Sequence, residues 1–358
     1  MLLTASAVFS KILYILIAVL FFGLIIFIHE LGHFLFAKLF KVKVNEFALG
    51  MGPTLLKKQG KETKYALRLL PIGGFVSMEG EDEDSEDDNA FHKKAVWKRM
   101  IIVAAGGIFN IILGLIICAV LLTQVQYIGT KQVLYFQENA MSQQTGLKEG
   151  DKILSINGKK VFSIDYDYGF LLQRDDDGIV DMVVRRDGEK ITLEDVTFQT
   201  YTTEDGHNTI VNDIVFLGVE PSFKSVFTNS FTDAVSISRM VYLSLFDLVT
   251  GKYGLTDLSG PVGTMDIIAD AAQQSAQSMD YSQLLTIMAL ITINIGLFNL
   301  LPIPALDGGR FFFMLIELIF RKPIPRKYEG WVHAAGMVVL LLFMAIVTLS
   351  DILKFIKQ

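Results

Sequence analysis

The chain has 358 residues, of which 51% are hydrophobic and 20% are charged, and its mean hydropathy is +0.44. It is too apolar for an ordinary soluble globule and too charged to lie wholly in lipid, so it predicts a mixed membrane and aqueous architecture. The formal net charge of −6 is dominated by one acidic run, and no nucleic-acid partner is expected. The single cysteine, Cys118, excludes an intramolecular disulfide and a thiolate zinc cluster.

Four apolar stretches are long enough to cross a hydrocarbon core of about 30 Å. They are residues 12–28, 101–122, 284–301 and 331–349. The first is predicted to be a retained helix and not a signal peptide, because no small-residue cleavage site follows it. Asn294 and Asn299 interrupt the third stretch, so that helix should face a bundle interior or a wet cavity.

The first stretch runs into the pattern His29-Glu30-Leu31-Gly32-His33. At helical spacing the two histidines lie one turn apart on one face, where both can bind a single zinc ion while Glu30 points at the water that the metal binds. Histidines and acids in hydrocarbon are costly unless they are paired or metal-bound, which makes these residues functional candidates. The alternative is a helix whose histidines only bond to neighbouring helices.

Between the first two stretches, residues 44–78 alternate in part and contain two glycine-proline turns. Hairpin strands would fit this pattern, and a plain cytoplasmic loop would fit it equally. The acidic run 79–88 is most simply a solvated loop, although a segment that binds a basic partner is possible. Lysines and arginines concentrate in this connection and in the one between stretches three and four, which predicts that both are cytoplasmic. Residues 123–281 and both termini would then lie outside.

The middle region becomes polar from about residue 124, with short apolar runs and turns at Asn157-Gly158 and Asp187-Gly188 that predict strands. Residues 146–158 resemble the bacterial PDZ signature, and PDZ domains bind peptides by strand addition. Ala140-Met141-Ser142 stands where such domains usually have Ser-Pro-Ala. This departure weakens the peptide-binding prediction, and we expect a size filter that excludes substrates with untrimmed outer parts.

Residues 226–249 are apolar with helical periodicity, which predicts either an amphipathic helix near the outer membrane surface or a simple packing helix. A turn is predicted at residues 259–263.

A catalytic zinc usually takes three protein ligands, so a third must come from elsewhere in the chain. The candidates are His92, His207, His333 and Asp307. Asp307 is better placed, because it follows a membrane stretch and precedes Gly308-Gly309. Two prolines before it would open the backbone at that depth, which is tolerated only where it is buried in protein or lines a cavity.

The chain as a whole resembles the site-2 protease family of intramembrane zinc metalloproteases, in its bacterial regulator-of-sigma-factor group with one PDZ domain. The resemblance implies that the Leu-Asp-Gly motif supplies Asp307 as the third zinc ligand beside His29 and His33, with Glu30 as the base. It also implies that Asn294, Asn299, Pro302 and Pro304 help hold the substrate near the metal; the alternative is that these four serve helix-breaking architecture alone. It turns the 44–78 segment into a membrane-reentrant β-element whose edge pairs with an unwound substrate.

The predicted fold is a polytopic α-helical membrane protein with four transmembrane helices, a membrane-associated β-element and an extracytoplasmic α+β PDZ domain. The predicted segments are helix one with the zinc motif (1–43), the β region with the acidic loop (44–98), helix two (99–123), the PDZ domain (124–222), the amphipathic helix and connecting region (223–282), helix three with the Leu-Asp-Gly motif (283–320), and helix four (321–358).

The predicted function is a Zn²⁺-dependent endopeptidase in the bacterial plasma membrane, with its active site near the cytoplasmic face. Its partners would be the lipid bilayer and pre-trimmed single-span proteins, such as anti-sigma factors or signal-peptide remnants. Glu30 would take the proton from a water molecule that zinc activates. A metal transporter and an inactive PDZ-containing adaptor remain alternatives.

Overall fold

The computed structural model describes residues 5–81, 83–174, 177–203, 208–252 and 260–357. His207 and the first residue of the predicted turn at 259–263 lie outside these ranges. The chain divides into two units, one made of Met1–Gly114 and Leu248–Gln358 and the other of Leu115–Asp247.

Long apolar helices dominate the chain outside the middle region. They are α1 (Ala5–Leu39), α2 (Val96–Gln124), α6 (Pro261–Ser278), α7 (Ser282–Leu300), α8 (Asp307–Phe320) and α9 (Arg326–Lys357). Within the described ranges, α1, α2, α7 and α9 contain segments of 28, 29, 19 and 28 residues that are long and apolar enough to cross a membrane. Many of their apolar side chains, such as Leu20 and Val339, are exposed, as in helices surrounded by lipid. The structure thus contains the four long apolar helices that the sequence predicts.

The third apolar stretch ends just before its two prolines: α7 ends at Leu300, and α8 begins only at Asp307. Pro302 and Pro304 lack the backbone donors that a continuing helix needs. The connection after residue 250 contains a further helix, α6, whose first residue is Pro261, a residue favoured at the start of a helix. The sequence placed only a turn there.

The segment 44–78 forms a long antiparallel hairpin of β1 (Val44–Gln59) and β2 (Lys64–Met78). Both strands bend, so that residues 44–49 pair with 74–78 on one side and with 64–67 on the other, and residues 56–59 pair with 64–67. The result is a small sheet of four segments in which 74–78 lies at an edge of the described pairings. Near the bend of both strands large apolar side chains are exposed, among them Leu56 at 68%.

The acidic run after the hairpin is tied back to the chain at several points. Lys43 Nζ lies 2.9 Å from Asp87 Oδ2, Arg310 pairs with Glu81, and Ser85 donates a 2.5 Å hydrogen bond to Glu79. The described part of the run is thus a largely exposed loop with several ion pairs and hydrogen bonds to neighbouring residues.

The second unit is built on an antiparallel sheet in the order β10-β3-β4-β6-β7, with β5 paired to β4. Its elements are β3 (Ile128–Phe136), α3 (Met141–Gln144), β4 (Lys152–Ile156), β5 (Lys159–Lys160), α4 (Gly169–Leu172), β6 (Ile179–Arg186), β7 (Glu189–Thr197), β8 (Thr200–Thr202), β9 (Asn208–Ile210) and β10 (Ile214–Val219). The predicted turns are confirmed: Asn157, Gly158, Asp187 and Gly188 all have positive φ, as a type I′ hairpin requires. The core includes Leu147, Ile153 and Met182, each fully buried.

The departure from the PDZ pattern lies in α3, where Ser142 has an internal partner. Its backbone N–H and its hydroxyl both donate to the carboxylate of Asp213, at 3.1 and 2.6 Å. Ala140 and Ser142 are both buried. The sequence Ala-Met-Ser is therefore used for packing within the unit.

The predicted helix at 226–249 is α5 (Phe223–Val249). Its buried face carries polar residues, including Ser230, Asp233 and Ser236, together with the apolar Ile237 and Val241. The exposed face carries the aromatic and aliphatic residues Phe223, Phe227, Phe231, Val235, Tyr242, Phe246 and Val249. Such a helix needs an apolar environment on its outer side.

The buried face of α5 is attached through carboxylates. Ser163 donates a 2.6 Å hydrogen bond to Asp233, Ser236 donates one of 2.8 Å to Asp167, and Arg239 pairs with Asp167. Burial raises the pKa of Asp233 to about 7, and the neighbouring carboxylates Asp165 and Asp167 add to the shift although the Ser163 hydrogen bond opposes it. The folded domain therefore holds this proton more tightly than the unfolded chain does.

We expect the stability of the second unit to fall between pH 4 and pH 7 because of Asp233. The free-energy cost of ionising buried Asp233 does not act below its ordinary pKa of 3.8. This cost grows as the pH rises to about 7 and is complete above that pH. Asp233→Asn, which keeps an oxygen for Ser163 to bind, should therefore stabilise the protein at pH 8 by on the order of 2–4 kcal/mol and much less at pH 5. Thermal unfolding of the full chain in detergent at both pH values measures this.

Glu194→Gln, which neutralises an exposed carboxylate on β7, is the control and should change the stability at neither pH. A stabilisation by Asp233→Asn that is equal at pH 5 and pH 8 would show that titration of Asp233 is not its cause.

Candidate metal centre

The two motif histidines of α1 lie side by side, with their rings edge to face and their centroids 4.8 Å apart. The Nδ1 atom of His33 lies 2.8 Å from the carbonyl oxygen of Ile102 on α2, to which it donates a hydrogen bond. In the neutral imidazole this leaves the lone pair on Nε2, which faces His29 Nε2 at 3.1 Å. A backbone carbonyl that fixes the tautomer in this way is a common support for metal-binding histidines.

Asp307 comes to the same point from the first residue of α8. Its Oδ2 atom lies 3.0 Å from His29 Nε2 and 3.2 Å from His33 Nε2. The N-terminus of a helix favours a negative side chain, because the helix dipole and the free N–H groups point toward it. The break between α7 and α8 thus sets the carboxylate against the face of α1 that carries both histidines.

The three atoms form a nearly equilateral triangle with sides of 3.0 to 3.2 Å. Ligands about 2.0 Å from a tetrahedral zinc ion are roughly 3.3 Å apart, so the triangle matches three of its four positions. Among the described residues, His29, His33 and Asp307 form a group of three ligand atoms that could hold a metal ion. The Asp307 side chain is 25% exposed, which leaves room for a fourth, exchangeable ligand.

Close contact between α1 and α2 depends on two glycines. A Cβ at Gly32 would lie 2.5 Å from the Ala105 carbonyl oxygen, and one at Gly106 would lie 2.3 Å from His33 Nε2 and 2.7 Å from His29 Cε1. Gly107 and Gly296 bring α2 and α7 together in the same way: a Cβ on either residue would lie 2.7 Å from the carbonyl oxygen of the other. Small residues at such crossings are typical of packed membrane helices.

Glu30, between the two histidines in sequence, faces the hairpin. A Cβ at Gly74 would lie 3.1 Å from Glu30 Cγ and 3.1 Å from the Ile26 side chain. Gly74 belongs to the edge segment 74–78 of the hairpin sheet. The predicted base therefore lies beside an edge of the hairpin sheet, where the Val76 backbone N–H is a hydrogen-bond partner of its carboxylate.

The remaining predicted residues occupy different surroundings. Asn294 and Asn299 are half-buried on α7, and Asn294 Oδ1 is buried with no hydrogen-bond partner among the described residues. Pro302 is exposed, whereas Pro304 lies against Gly336 of α9. The structure does not bring His92 to the metal-binding group, since its Nδ1 lies 3.0 Å from the Gly80 carbonyl oxygen.

Several contributors to the site were missed from the sequence. The Ile102 carbonyl has no side-chain signal, and Gly74 stood in a predicted turn. Gly106-Gly107 within an apolar stretch could have indicated a close helix crossing. His333 was considered only as a metal ligand, whereas its ring accepts a hydrogen bond from the backbone N–H of Ala305 at 3.0 Å.

Comparisons with known proteins cover nearly the whole chain. Residues 17–343 match the family model described as Peptidase family M50. A protein of Clostridium perfringens, provisionally named a zinc metalloprotease, is 36% identical over 343 residues, which cover 95% of this chain and 99% of the relative. The regulator of sigma-W protease RasP of Bacillus subtilis is 30% identical over 417 residues, which cover 93% of this chain and 97% of that protein.

We expect Gly106→Ala to weaken metal binding by on the order of tenfold or more, because its methyl group would overlap the His33 ring and push the two imidazoles off the triangle. Zinc content of the purified chain after dialysis measures this. Gly23→Ala is the matched control on α1, since a Cβ there meets nothing within 4 Å. Equal zinc content in both variants would mean that Gly106 does not set the position of the histidines.

Proposed function

The chain belongs to peptidase family M50 and is an intramembrane zinc metalloprotease of the site-2 type. On that premise we propose that it cleaves the membrane segments of single-span proteins whose outer parts have already been trimmed. The triangle of His29, His33 and Asp307 carries the proposal, because it provides a three-ligand zinc site within apolar helices. The name of its Bacillus subtilis relative, a regulator of sigma-W protease, favours anti-sigma factors as substrates; signal-peptide remnants are a second class.

We assign His29, His33 and Asp307 as the ligands of zinc and Glu30 as the general base. When bound, zinc would polarise the scissile carbonyl and make a water molecule acidic near neutral pH. Glu30 would take a proton from the attacking water and pass it to the leaving amine. His33 would offer its Nε2 lone pair as a ligand, because its Nδ1 proton is held by the carbonyl oxygen of Ile102.

The hairpin edge beside Glu30 suggests how the substrate is held. A peptide bond inside a helix is shielded by its own hydrogen bonds, so a transmembrane helix must unwind before it can be cut. We propose that the unwound segment pairs with residues 74–78, which lie at the sheet edge next to Glu30. The exposed leucines near the bend of both strands support a membrane-reentrant position for the hairpin.

Asn294, Asn299, Pro302 and Pro304 are proposed to contribute to substrate binding on the resemblance alone. The unpartnered Asn294 Oδ1 is the best placed of these groups to accept a hydrogen bond from substrate backbone. The contact of Pro304 with Gly336 favours a structural role for that residue.

We propose that the second unit contains a PDZ domain on the outer side of the plasma membrane, where it acts as a size filter. The sheet, its type I′ turns and the 146–158 signature support the assignment. The lysine- and arginine-rich connections between α1 and α2 and between α8 and α9 would then be cytoplasmic, with the active site near that face. The outer aromatic face of α5 would rest on the bilayer.

Glu30→Gln should abolish cleavage, because the amide cannot take a proton, and the rate should fall by about 10²-fold or more. The measurement is cleavage of a tagged single-span substrate with its outer domain removed, by the purified wild-type chain and the variant, with zinc determined on both. We expect about one zinc per chain in each. Cleavage by the variant at the wild-type rate would remove Glu30 from the chemistry, and bound zinc without cleavage in either would contradict a catalytic role for the metal.

Contact of α5 with lipid can be measured by tryptophan quenching. In a background carrying Trp97→Phe and Trp331→Phe, Phe227→Trp should be strongly quenched by brominated lipids, because Phe227 lies on the exposed apolar face of α5. Tyr201→Trp, at a similarly exposed aromatic position on β8, is the control and should be quenched little. Equal quenching at the two positions would contradict the proposed orientation of the helix.

A further inference from the structure

The six residues between α7 and α8 form a folded turn that sets where Asp307 lies. Within it the Ile303 backbone N–H donates to the Leu301 carbonyl, and the Leu306 N–H donates to the Ile303 carbonyl at 3.2 Å. Ala305 has a φ of +78°, in the left-handed region that residues other than glycine rarely adopt. A conformation of this kind persists only when the surroundings hold it.

One side of the turn is held by the first residues of α8. A Cβ at Gly308 would lie 1.9 Å from the Leu301 carbonyl oxygen, and a Cβ at Gly309 would lie 2.6 Å from that of Ile303. The turn therefore packs directly on the backbone that follows Asp307. A shift of the turn has to move the carboxylate as well.

The other side is held by α9 through two residues one helical turn apart. His333 Nδ1 accepts a 3.0 Å hydrogen bond from the Ala305 backbone N–H. A Cβ at Gly336 would lie 2.4 Å from Pro304 Cβ and 2.8 Å from the Pro304 carbonyl oxygen, so only glycine allows this approach. The His333 ring also packs against Phe313 of α8, with centroids 5.6 Å apart.

We propose that His333 is a positioning residue for the metal centre, and that with Gly336 it holds the strained turn at Ala305 so that Asp307 meets both histidines. The inference rests on the proposed role of Asp307 as a zinc ligand. His333 lies 26 positions after Asp307 on a different helix and acts through the Ala305 backbone. It contributes the Nδ1 atom, which accepts the hydrogen bond from the Ala305 backbone N–H. This bond fixes the position of Asp307, and a metal site tolerates only a small displacement of a ligand.

The test is zinc affinity of the full chain in detergent, measured by competition with a chelating dye. His333→Phe keeps the ring volume and removes the acceptor, and should weaken zinc binding by about 10- to 100-fold. His333→Asn places an oxygen near the position of Nδ1 and should restore most of the affinity. The same order should appear in the rate of substrate cleavage at saturation.

The matched control is His92→Phe, since Nδ1 of His92 also bonds a backbone group, that of Gly80, which is not part of the turn. It should bind zinc as the wild type does. A second pair on α9 tests the approach of the helix: Gly336→Ala should weaken zinc binding, whereas Gly330→Ala, where a Cβ meets nothing within 4 Å, should not.

Zinc affinity of His333→Phe equal to wild type, or a loss in His333→Asn as large as in His333→Phe, would overturn the inference. The first result means that the hydrogen bond is dispensable, and the second that the ring only fills space. If His333→Phe does not fold, His333→Asn at wild-type affinity with a loss in Gly336→Ala supports the inference, and any other combination contradicts it. A wild-type chain that binds no zinc would instead refute the proposed metal site itself.

Discussion

The interaction on which the site depends is the meeting of two imidazole lone pairs and one carboxylate within 3.2 Å of each other. To act as ligands of one cation they must present their lone pairs to a single point, so the surrounding helices must hold all three in place. The Ile102 carbonyl removes one degree of freedom by fixing the tautomer of His33. Glycines at the α1–α2 and α2–α7 crossings remove others, because backbone-to-backbone contact leaves little room for relative motion of the helices.

The break between α7 and α8 serves the same end. If α7 continued through residues 301–306, Asp307 would lie in the interior of that helix. The turn instead lets α8 begin with Asp307 at its N-terminus. Strain at Ala305 is a cost of this arrangement, and contacts from α8 and α9 compensate for it. The prolines that end α7 are thus part of the geometry of the site, whether or not they also touch a substrate.

Much of this could be predicted from the sequence, because the strongest signals were local. The helical spacing of His29 and His33, the apolar length of four segments and the positive-φ hairpin turns each depend on few residues, and the structure contains all of them. The extra helix α6 was missed because proline was taken as part of a turn when it begins a helix. Gly336 and His333 could not be assigned roles, since each acts on the turn before α8, which is far away in sequence. The bend of the hairpin into four segments likewise depends on pairings between distant residues.

The exposed aromatic face of α5 affects how the second unit can be studied by itself. A fragment containing residues 115–247 would present Phe223, Phe227 and Phe231 to water, since Asp233 and Ser236 on the other face already bond to Ser163 and Asp167. Exposed aromatic rows of this kind drive self-association, so such a fragment in buffer would sample oligomers that the intact protein has no need to form. Peptide-binding assays on the isolated domain therefore call for a fragment that ends before residue 223, or for detergent micelles that cover the helix.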